Sequence, residues 1–497
     1  MTETAAAEPF VLDNSYARLP GEFHARAMPT AVAAARLLRV NRPLAEQLGL
    51  DVQALESPAG VDILAGNRVP KGAEPLAMAY AGHQFGNFSP VLGDGRAVLL
   101  GEMTDRNGVR RDIQLKGAGP TPFSSRGDGR AALGPVIREY VVSEGMAALG
   151  IPTTRALAMV ATGESVRRRR AEPGGVLTRV AASHVRVGTF EYFYRQGHNE
   201  AVRALADYVI ERHYPHVADA DNPYHALLEE VAAHTADLIA QWLLVGFIHG
   251  VMNTDNVSIA GETIDYGPCA FMDSYNPATV YSSIDHGGRY AYNRQPGIGQ
   301  WNLARFAECL LPLLDEDQEK AVEQAQAVLE RYVERFETTY HDGLAAKIGL
   351  EERREGDADL AYDLLKRMTE QGADFTLTFR HLSDLGRAAD DRDDNVRALF
   401  DDPSGFDGWA VRWRERLADE TRDDAERRAA MRAVNPAYIP RNHRIQQAID
   451  AAEAGDYQPL DDLLTVVANP YDDHPELAEY ARPPKPEEVV ERTFCGT

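Results

Sequence analysis

The run His249-Gly-Val-Met-Asn-Thr-Asp255-Asn256, a short apolar-and-turn stretch, and then Asp265-Tyr266-Gly267 constrain this chain more than any other part of it. Two aspartates and an asparagine fall within eleven positions. They follow a long apolar segment whose three- and four-residue spacing reads as a helix over His225–Gly250, and they occupy turn-prone sequence. Carboxylates and an amide oxygen on turns suit a divalent cation held over a polyphosphate. Mg²⁺ takes hard oxygen ligands and is usually bound by one or two carboxylates together with phosphate oxygens.

Composition narrows the partners. With 44% hydrophobic and 26% charged residues in 497, the chain is globular and long enough for several domain-sized units. A formal net charge of −24 argues against a nucleic-acid or anionic-membrane binder, which needs basic surface. A nucleotide must therefore meet a local cationic pocket. Lysine is scarce, standing at positions 71, 116, 320, 347, 366 and 485 only, so a lysine in a suggestive place stands out. The N-terminus lacks signal- and transit-peptide patterns, and Leu238–Ile248 is too short to span a bilayer. Three cysteines (269, 309 and 495) make neither a disulfide framework nor a tetrahedral zinc site, which places the protein in the reducing cytoplasm.

Upstream segments supply phosphate-type chemistry. Residues 1–79 carry helical pieces such as Pro29–Leu48 and few reactive groups, and His83 in the Gly- and aromatic-rich Tyr80–Pro90 reads as a packed histidine on a turn. Leu92-Gly93-Asp94-Gly95-Arg96 then precedes an apolar strand, Ala97–Gly101, an Asn107-Gly108 hairpin turn, and a return strand, Arg111–Lys116. Glycines let backbone N–H groups approach phosphates, and the lysine arrives at the strand's end. A polar glycine-rich loop, 117–130, includes Asp128 and Gly129 and is too long for a plain connector. The helix after it opens at Gly134-Pro135 and carries Glu139 in its second turn. The Arg167–Arg170 run reads as a solvated loop. Arg179, in the strand 176–180, and Arg186 are either phosphate clamps or surface salt bridges. From Asn222 onward the pattern is helical, with helices over Asn302–Leu314, Asp317–Tyr340 and Ala358–Glu370. Pro470–Glu491 is an acidic, proline-rich tail.

The order of Gly-rich turn, strand lysine, helix glutamate and metal loop resembles a protein kinase. His249 and Asn256 keep the offset of the catalytic loop H-R-D-x-x-x-x-N, and Asp265-Tyr-Gly stands where Asp-Phe-Gly would. The kinase base, however, falls at Val251, which accepts no proton. Over Tyr80–Glu102, Asp112–Ala156 and Gly246–Pro277 the chain resembles the selenoprotein O family, protein adenylyltransferases on a protein-kinase-like fold. That resemblance implies an α+β, bilobal architecture. It comprises an N-terminal extension (1–79), a small β-rich N-lobe (80–190), a large, mostly helical C-lobe (191–455) and a C-terminal tail (456–497). It also implies a reversed ATP whose α-phosphate faces the acceptor, so that AMP, or UMP from UTP, passes to protein Ser, Thr or Tyr hydroxyls.

By position, Gly93, Gly95 and Arg96 would cradle the nucleotide. Lys116, held by Glu139, would bind phosphate, and Asp128, Gly129, Arg179 and Arg186 would line the pocket. Asn256 and Asp265 would ligate Mg²⁺ or Mn²⁺, and Asp255 would accept the proton. The resemblance further suggests a Cys269–Cys495 disulfide as a redox brake. An ordinary kinase and a non-catalytic pseudokinase scaffold are the competing readings. The first is opposed by Val251 and the second by retention of Lys116, Glu139, Asn256 and Asp265 together. The oligomeric state is expected to be monomeric.

Overall fold

The first half of the chain builds an antiparallel sheet, and the second half is mostly helical. The computed structural model describes residues 10–168 and 170–494. Its strands in chain order are β1 (His24–Arg26), β2 (Arg36–Val40), β3 (Leu76–Met78), β4 (Gly82–Gln84), β5 (Asn87–Ser89), β6 (Ala97–Thr104), β7 (Arg110–Lys116), β8 (Ala131–Ala132), β9 (Arg155–Arg167), β10 (Ala171–Ala181), β11 (Phe247–Ile248) and β12 (Ala270–Phe271). The main sheet runs β1-β3-β6-β7-β10-β9-β2, with β8 on β10; β4–β5 and β11–β12 are separate pairs. β6 and β7 are joined at the expected Asn107-Gly108 turn, where Gly108 has φ +79° and the Asp105 carboxylate accepts the N–H groups of Asn107 and Val109.

Two sequence expectations are corrected. Pro29–Leu48 is not one helical piece: Arg36–Val40 is a strand on β9, and only Arg42–Leu48 is helical. Asn41 caps that helix through Leu44 N–H, and Pro43 sits in its first turn, so the helix cannot begin earlier. Likewise the apolar helix is Pro223–Leu244 and does not reach Gly250. Asn222 caps its start, Leu227, Leu228, Val231, Leu238 and Trp242 bury one face, and Gly246 at φ +74° ends the helical path. Phe247–Ile248 then pairs antiparallel with Ala270–Phe271. The stretch 249–269 is thus the connection of a short hairpin, rooted in the core at both ends.

The helix Leu133–Ala148 lies between the sheet and the C-terminal helices Asn442–Glu453 and Gln458–Ala468, in a core with Ile137, Val141, Met146, Met159, Leu177 and Leu463. The helices predicted over 302–314 and 317–340 are longer, Gln295–Leu314 and Gln318–Lys347. The tail packs instead of trailing: Pro475–Ala481 is a 3-10 turn, and Tyr480 is buried. No helix among the described residues is long and apolar enough to cross a membrane.

At the end of Gln318–Lys347, the buried Lys347 amine stands 4.4 Å from the Phe379 ring centre and 5.4 Å from that of Phe375. Burial alone pulls it down to about 7. The unfolded chain therefore binds more protons than the folded one between about pH 7 and the ordinary lysine range, and this group makes stability rise with pH across that window. Lys347→Met is expected to raise the melting temperature at pH 7 and flatten its rise toward pH 10, measured by thermal denaturation across pH.

Candidate active site

The site forms where the ends of β7 and β10, the helix Leu133–Ala148 and the β11–β12 connection converge. Lys116 is the last residue of β7, and Arg179 lies beside it on β10, where Leu177 and Lys116 are paired. Glu139, on the helix, accepts from Lys116 Nζ at 2.6 Å and from Arg179 Nη2 and Nε at 2.5 and 2.8 Å. Asp265 faces the same cations. Its carboxylate accepts from Arg179 Nη2 at 2.8 Å, from Lys116 Nζ at 3.3 Å and from Arg186 Nη1. Arg179 and Arg186 are 1% and 3% exposed, which removes the surface-salt-bridge reading. Burial alone would raise the Asp265 carboxyl, but Arg186, Arg179 and Lys116 hold it well below the usual carboxylate range. Lys116 is lowered by burial and by Arg179, against the pull of Glu139 and Asp265.

The connection that carries Asp265 is fixed by core contacts. His249, fully buried, hydrogen-bonds the Ile264 carbonyl through Nε2 at 2.8 Å and stacks on Trp242, while Trp242 Nε1 donates to Thr263 Oγ1 at 2.9 Å. His249 is therefore a strut that sets the loop's height. Asp265 itself has φ +61°, a left-handed conformation that Asp and Asn tolerate better than most side chains. Asn256 donates from Nδ2 to the Val251 carbonyl at 2.9 Å, which leaves Oδ1 as its ligand-type atom. Val251 thus orients the asparagine through its backbone, and its side chain is buried.

Asp255 is 7% exposed, and its Oδ1 is buried without a hydrogen-bond partner. Its Oδ2 accepts weakly from Gln84 Nε2 at 3.4 Å, and its carbonyl accepts from Arg186 Nη1 at 2.6 Å. Burial raises this carboxyl to about 6, against the opposing charge of Arg186. Among the described residues no group of three or more His, Cys, Asp or Glu side chains forms a metal cage. The oxygen donors present, one carboxylate at Asp265 and the Asn256 amide oxygen, fit instead a hard cation that completes its shell with phosphate oxygens.

The Gly-rich turn closes the opposite side. Gly93 has φ +70°, and a side chain there would strike the Phe123 ring. Thr121 Oγ1 donates to the Asp94 carbonyl at 2.6 Å, and Ser124 Oγ donates to the Gly95 carbonyl, so the 117–130 loop clasps this turn. Arg96 meets β7 through its carbonyl, which accepts Gly117 N–H at 2.7 Å. Gly129, at φ +66°, packs on Gly119 at the loop's neck, where a Cβ would stand 2.1 Å from backbone. Asp128 pairs with Arg168 at 2.8 Å at the β9–β10 turn. The solvated loop expected over Arg167–Arg170 is the β9–β10 turn: Arg167, at the end of β9, and Arg170 are exposed, and Arg170 pairs with Glu453.

Sequence reasoning passed over several residues of the site. Asp94 was legible only as part of a turn, yet it is buried, accepts Met78 N–H at 3.0 Å and lies 3.8 Å from Arg186. Tyr80 lies under the Arg186 guanidinium at 4.6 Å. His83 is packed, as expected, and meets Glu191 at 2.5 Å; Glu191 in turn accepts from Thr254, next to Asp255. The Cys269–Cys495 pairing lies outside the described residues at Cys495. Cys269 is buried, and Thr493 docks beside it through Oγ1, which donates to the Pro268 carbonyl at 2.5 Å.

An aspartate facing one lysine and two arginines, with a second carboxylate across Arg186, is a constellation suited to the polyphosphate chemistry of a nucleotide-dependent transferase. A family model described as protein adenylyltransferase SelO matches residues 10–468. Curated relatives named protein nucleotidyltransferase YdiU include one from Rhodopseudomonas palustris (strain BisB5), 64% identical over 491 residues, and one from strain BisB18, 63% identical over 489. Another, from Bradyrhizobium sp. (strain ORS 278), is 63% identical over 489 residues; each match covers 98% of this chain and 99% of the relative. The chain belongs to the SelO family of protein adenylyltransferases.

Proposed function

We propose that the chain transfers AMP from ATP to Ser, Thr or Tyr hydroxyls of other proteins and releases pyrophosphate, with UTP and UMP as the alternative donor pair. The observation that carries this reading is the division of labour between two carboxylates. Asp265 is fully engaged by Lys116, Arg179 and Arg186, whereas Asp255 keeps a buried oxygen with no partner. With Val251 at the usual base position, Asp255 is the carboxylate left to receive a proton.

In the reaction the acceptor oxygen bonds to the α-phosphorus, the bond from that phosphorus to the β-phosphate oxygen breaks, and pyrophosphate leaves with the electron pair. The hydroxyl proton passes to Asp255 Oδ1. Lys116, Arg179 and Arg186 hold the phosphate oxygens, Glu139 keeps Lys116 and Arg179 in place, and Gly93, Gly95 and Arg96 form the turn over the nucleotide. Gly129 shapes the loop that clasps that turn. Asp128, which braces the same loop through Arg168, lines the nucleotide pocket with it. Bound at Asp265 and Asn256 Oδ1, Mg²⁺ or Mn²⁺ supplies neutralisation of phosphate charge.

The order of strand lysine, helix glutamate, metal asparagine and Asp-Tyr-Gly supports a kinase-like bilobal arrangement. Its N-lobe is 80–190 and its C-lobe 191–455, flanked by extensions 1–79 and 456–497. The scarcity of cysteine supports a cytoplasmic setting, in which the chain works as a monomer.

The test supplies ATP labelled on the α- or the γ-phosphate, with Mg²⁺ or Mn²⁺ and a lysate, and reads protein-bound label. Label from the α-position only, abolished by EDTA, is the expected result. Label from the γ-position only would overturn the reading in favour of a kinase. Asp255→Asn is expected to lower α-label transfer about 10²–10⁴-fold while ATP affinity stays near wild type, as loss of a proton acceptor predicts.

A further inference from the structure

The hairpin β4–β5 covers two groups whose hydrogen-bonding capacity the fold leaves unused. At its base Gly82 lies against Asp255, so close that a Cβ on Gly82 would stand 2.3 Å from the unpartnered Oδ1. At its turn, where Phe85 and Gly86 have φ +51° and +83°, Gly86 lies over the guanidinium of Arg289: a Cβ there would stand 3.6 Å from Cζ. Nε and Nη2 of Arg289 are buried and have no acceptor. Arg289 makes no ion pair among the described residues. Asp285, the nearest carboxylate in sequence, is occupied by the backbone N–H groups of Arg289 and Tyr290, each at 2.8 Å.

The guanidinium is flanked by two aromatic rings. Its Cζ stands 4.7 Å from the Trp301 ring centre and 5.6 Å from that of Tyr290. Arg305 lies over the same indole at 5.2 Å, and Arg305 and Arg195 share one carboxylate, Glu308, at 2.7 and 3.4 Å. Glu308 answers Arg305 and Arg195, which leaves Arg289 as the arginine of this group without an ion pair among the described residues. Nε and Nη2 form one edge of the guanidinium fork, the edge that matches the two oxygens of a single carboxylate. Asp255 Oδ1 lacks a donor, which a hydroxyl supplies. The two unmet groups lie beneath Gly82 and Gly86, four residues apart, whose Cα atoms can be separated by about 13 Å at most.

We propose that this surface is the acceptor-side subsite of the transferase and that it selects an Asp or Glu side chain within about four residues of the hydroxyl presented to Asp255, the span an extended peptide covers in that distance. The inference rests on the adenylyl-transfer reading for the role of Asp255, and on Arg289 alone for the acidic preference. Gly86 itself is exposed, but its neighbour Phe85 packs on the core beside Tyr290 and donates its N–H to Asn253 Oδ1 at 3.1 Å, so a peptide reaches the guanidinium only by lifting this turn.

Two fluorescent peptides test it, identical except for Glu or Gln at the second position after a single Ser. Each is titrated against the full chain by anisotropy and then offered as acceptor with α-labelled ATP. The Glu peptide is expected to bind at least about tenfold more tightly, as a bidentate charge-assisted pair predicts. Arg289→Gln is expected to remove that preference, and Arg289→Lys to keep only part of it, because an ammonium lacks the fork. Equal binding of the two peptides, or a full preference surviving in a folded Arg289→Gln protein, overturns the subsite. A Glu preference in binding with no α-label on any protein overturns the transfer reading and leaves the acidic subsite standing. Label on both peptides at equal KM does the reverse.

Discussion

Asp265→Asn is expected to lower adenylyl transfer on the order of 10³-fold or more, since it removes a preorganised charge at the phosphate focus. Asparagine is the informative replacement, because residue 265 sits at φ +61°, a conformation that Asn tolerates nearly as well as Asp. The substitution therefore keeps the backbone and removes the charge. Lys116 and Arg179 then share Glu139 alone, and Arg186 keeps only Asp94, at 3.8 Å, as a carboxylate partner. Breaking a buried pair typically costs about 3–5 kcal/mol, so the melting temperature of the variant should fall as well. Measuring transfer well below that melting temperature separates the two effects. Wild-type transfer in a folded variant would remove Asp265 from the metal and phosphate site.

Lys116→Met is expected to reduce transfer by about 10²–10³-fold with little loss of stability. The contrast with Asp265 follows from the partners. Glu139 without Lys116 still holds two N–H bonds from Arg179, at 2.5 and 2.8 Å, and so is not stranded. Methionine also fills the volume of the lysine stem at the end of β7 without creating a cavity. Steady-state kinetics should show the loss mainly in kcat/KM for ATP, because the amine acts on the phosphates. A large drop in melting temperature with normal kcat/KM would make Lys116 a structural residue.

Much of the site was legible because its chemistry is rare and local. In a lysine-poor chain, Lys116 at the end of an alternating strand stood out, and Asp255, Asn256 and Asp265 lie on one short connection. Glu139 could be placed because its helix announces itself with Gly134-Pro135 at its start and Gly150 just past its end. What stayed hidden depends on contacts between distant segments. Nothing in Arg36–Val40 reveals that it will pair with β9, more than a hundred residues away, and its flanking alanines favour a helix by propensity. Asp94 looked like a turn residue because its partners, Met78 N–H and Arg186, come from other elements. Gln84, Glu191 and Arg289 acquire meaning only when the β4–β5 hairpin is laid over Asp255. The partner of Asp128, Arg168, likewise comes from a distant turn and could not be read from the sequence.

If Asp265 holds the metal as proposed, its threefold engagement favours one order of events. A free divalent ion arriving alone must displace Lys116, Arg179 and Arg186 from that carboxylate, and it offers those cations nothing in exchange. A metal already chelated by a triphosphate arrives with anionic oxygens for the three cations and a positive centre for the aspartate. Every charge in the cluster then trades one partner for another in a single exchange, and none is left bare. On the proposed reading loading would thereby be coupled: metal and nucleotide would enter as one complex, and departure of pyrophosphate would hand the cations back to Asp265, resetting the pocket for the next turnover.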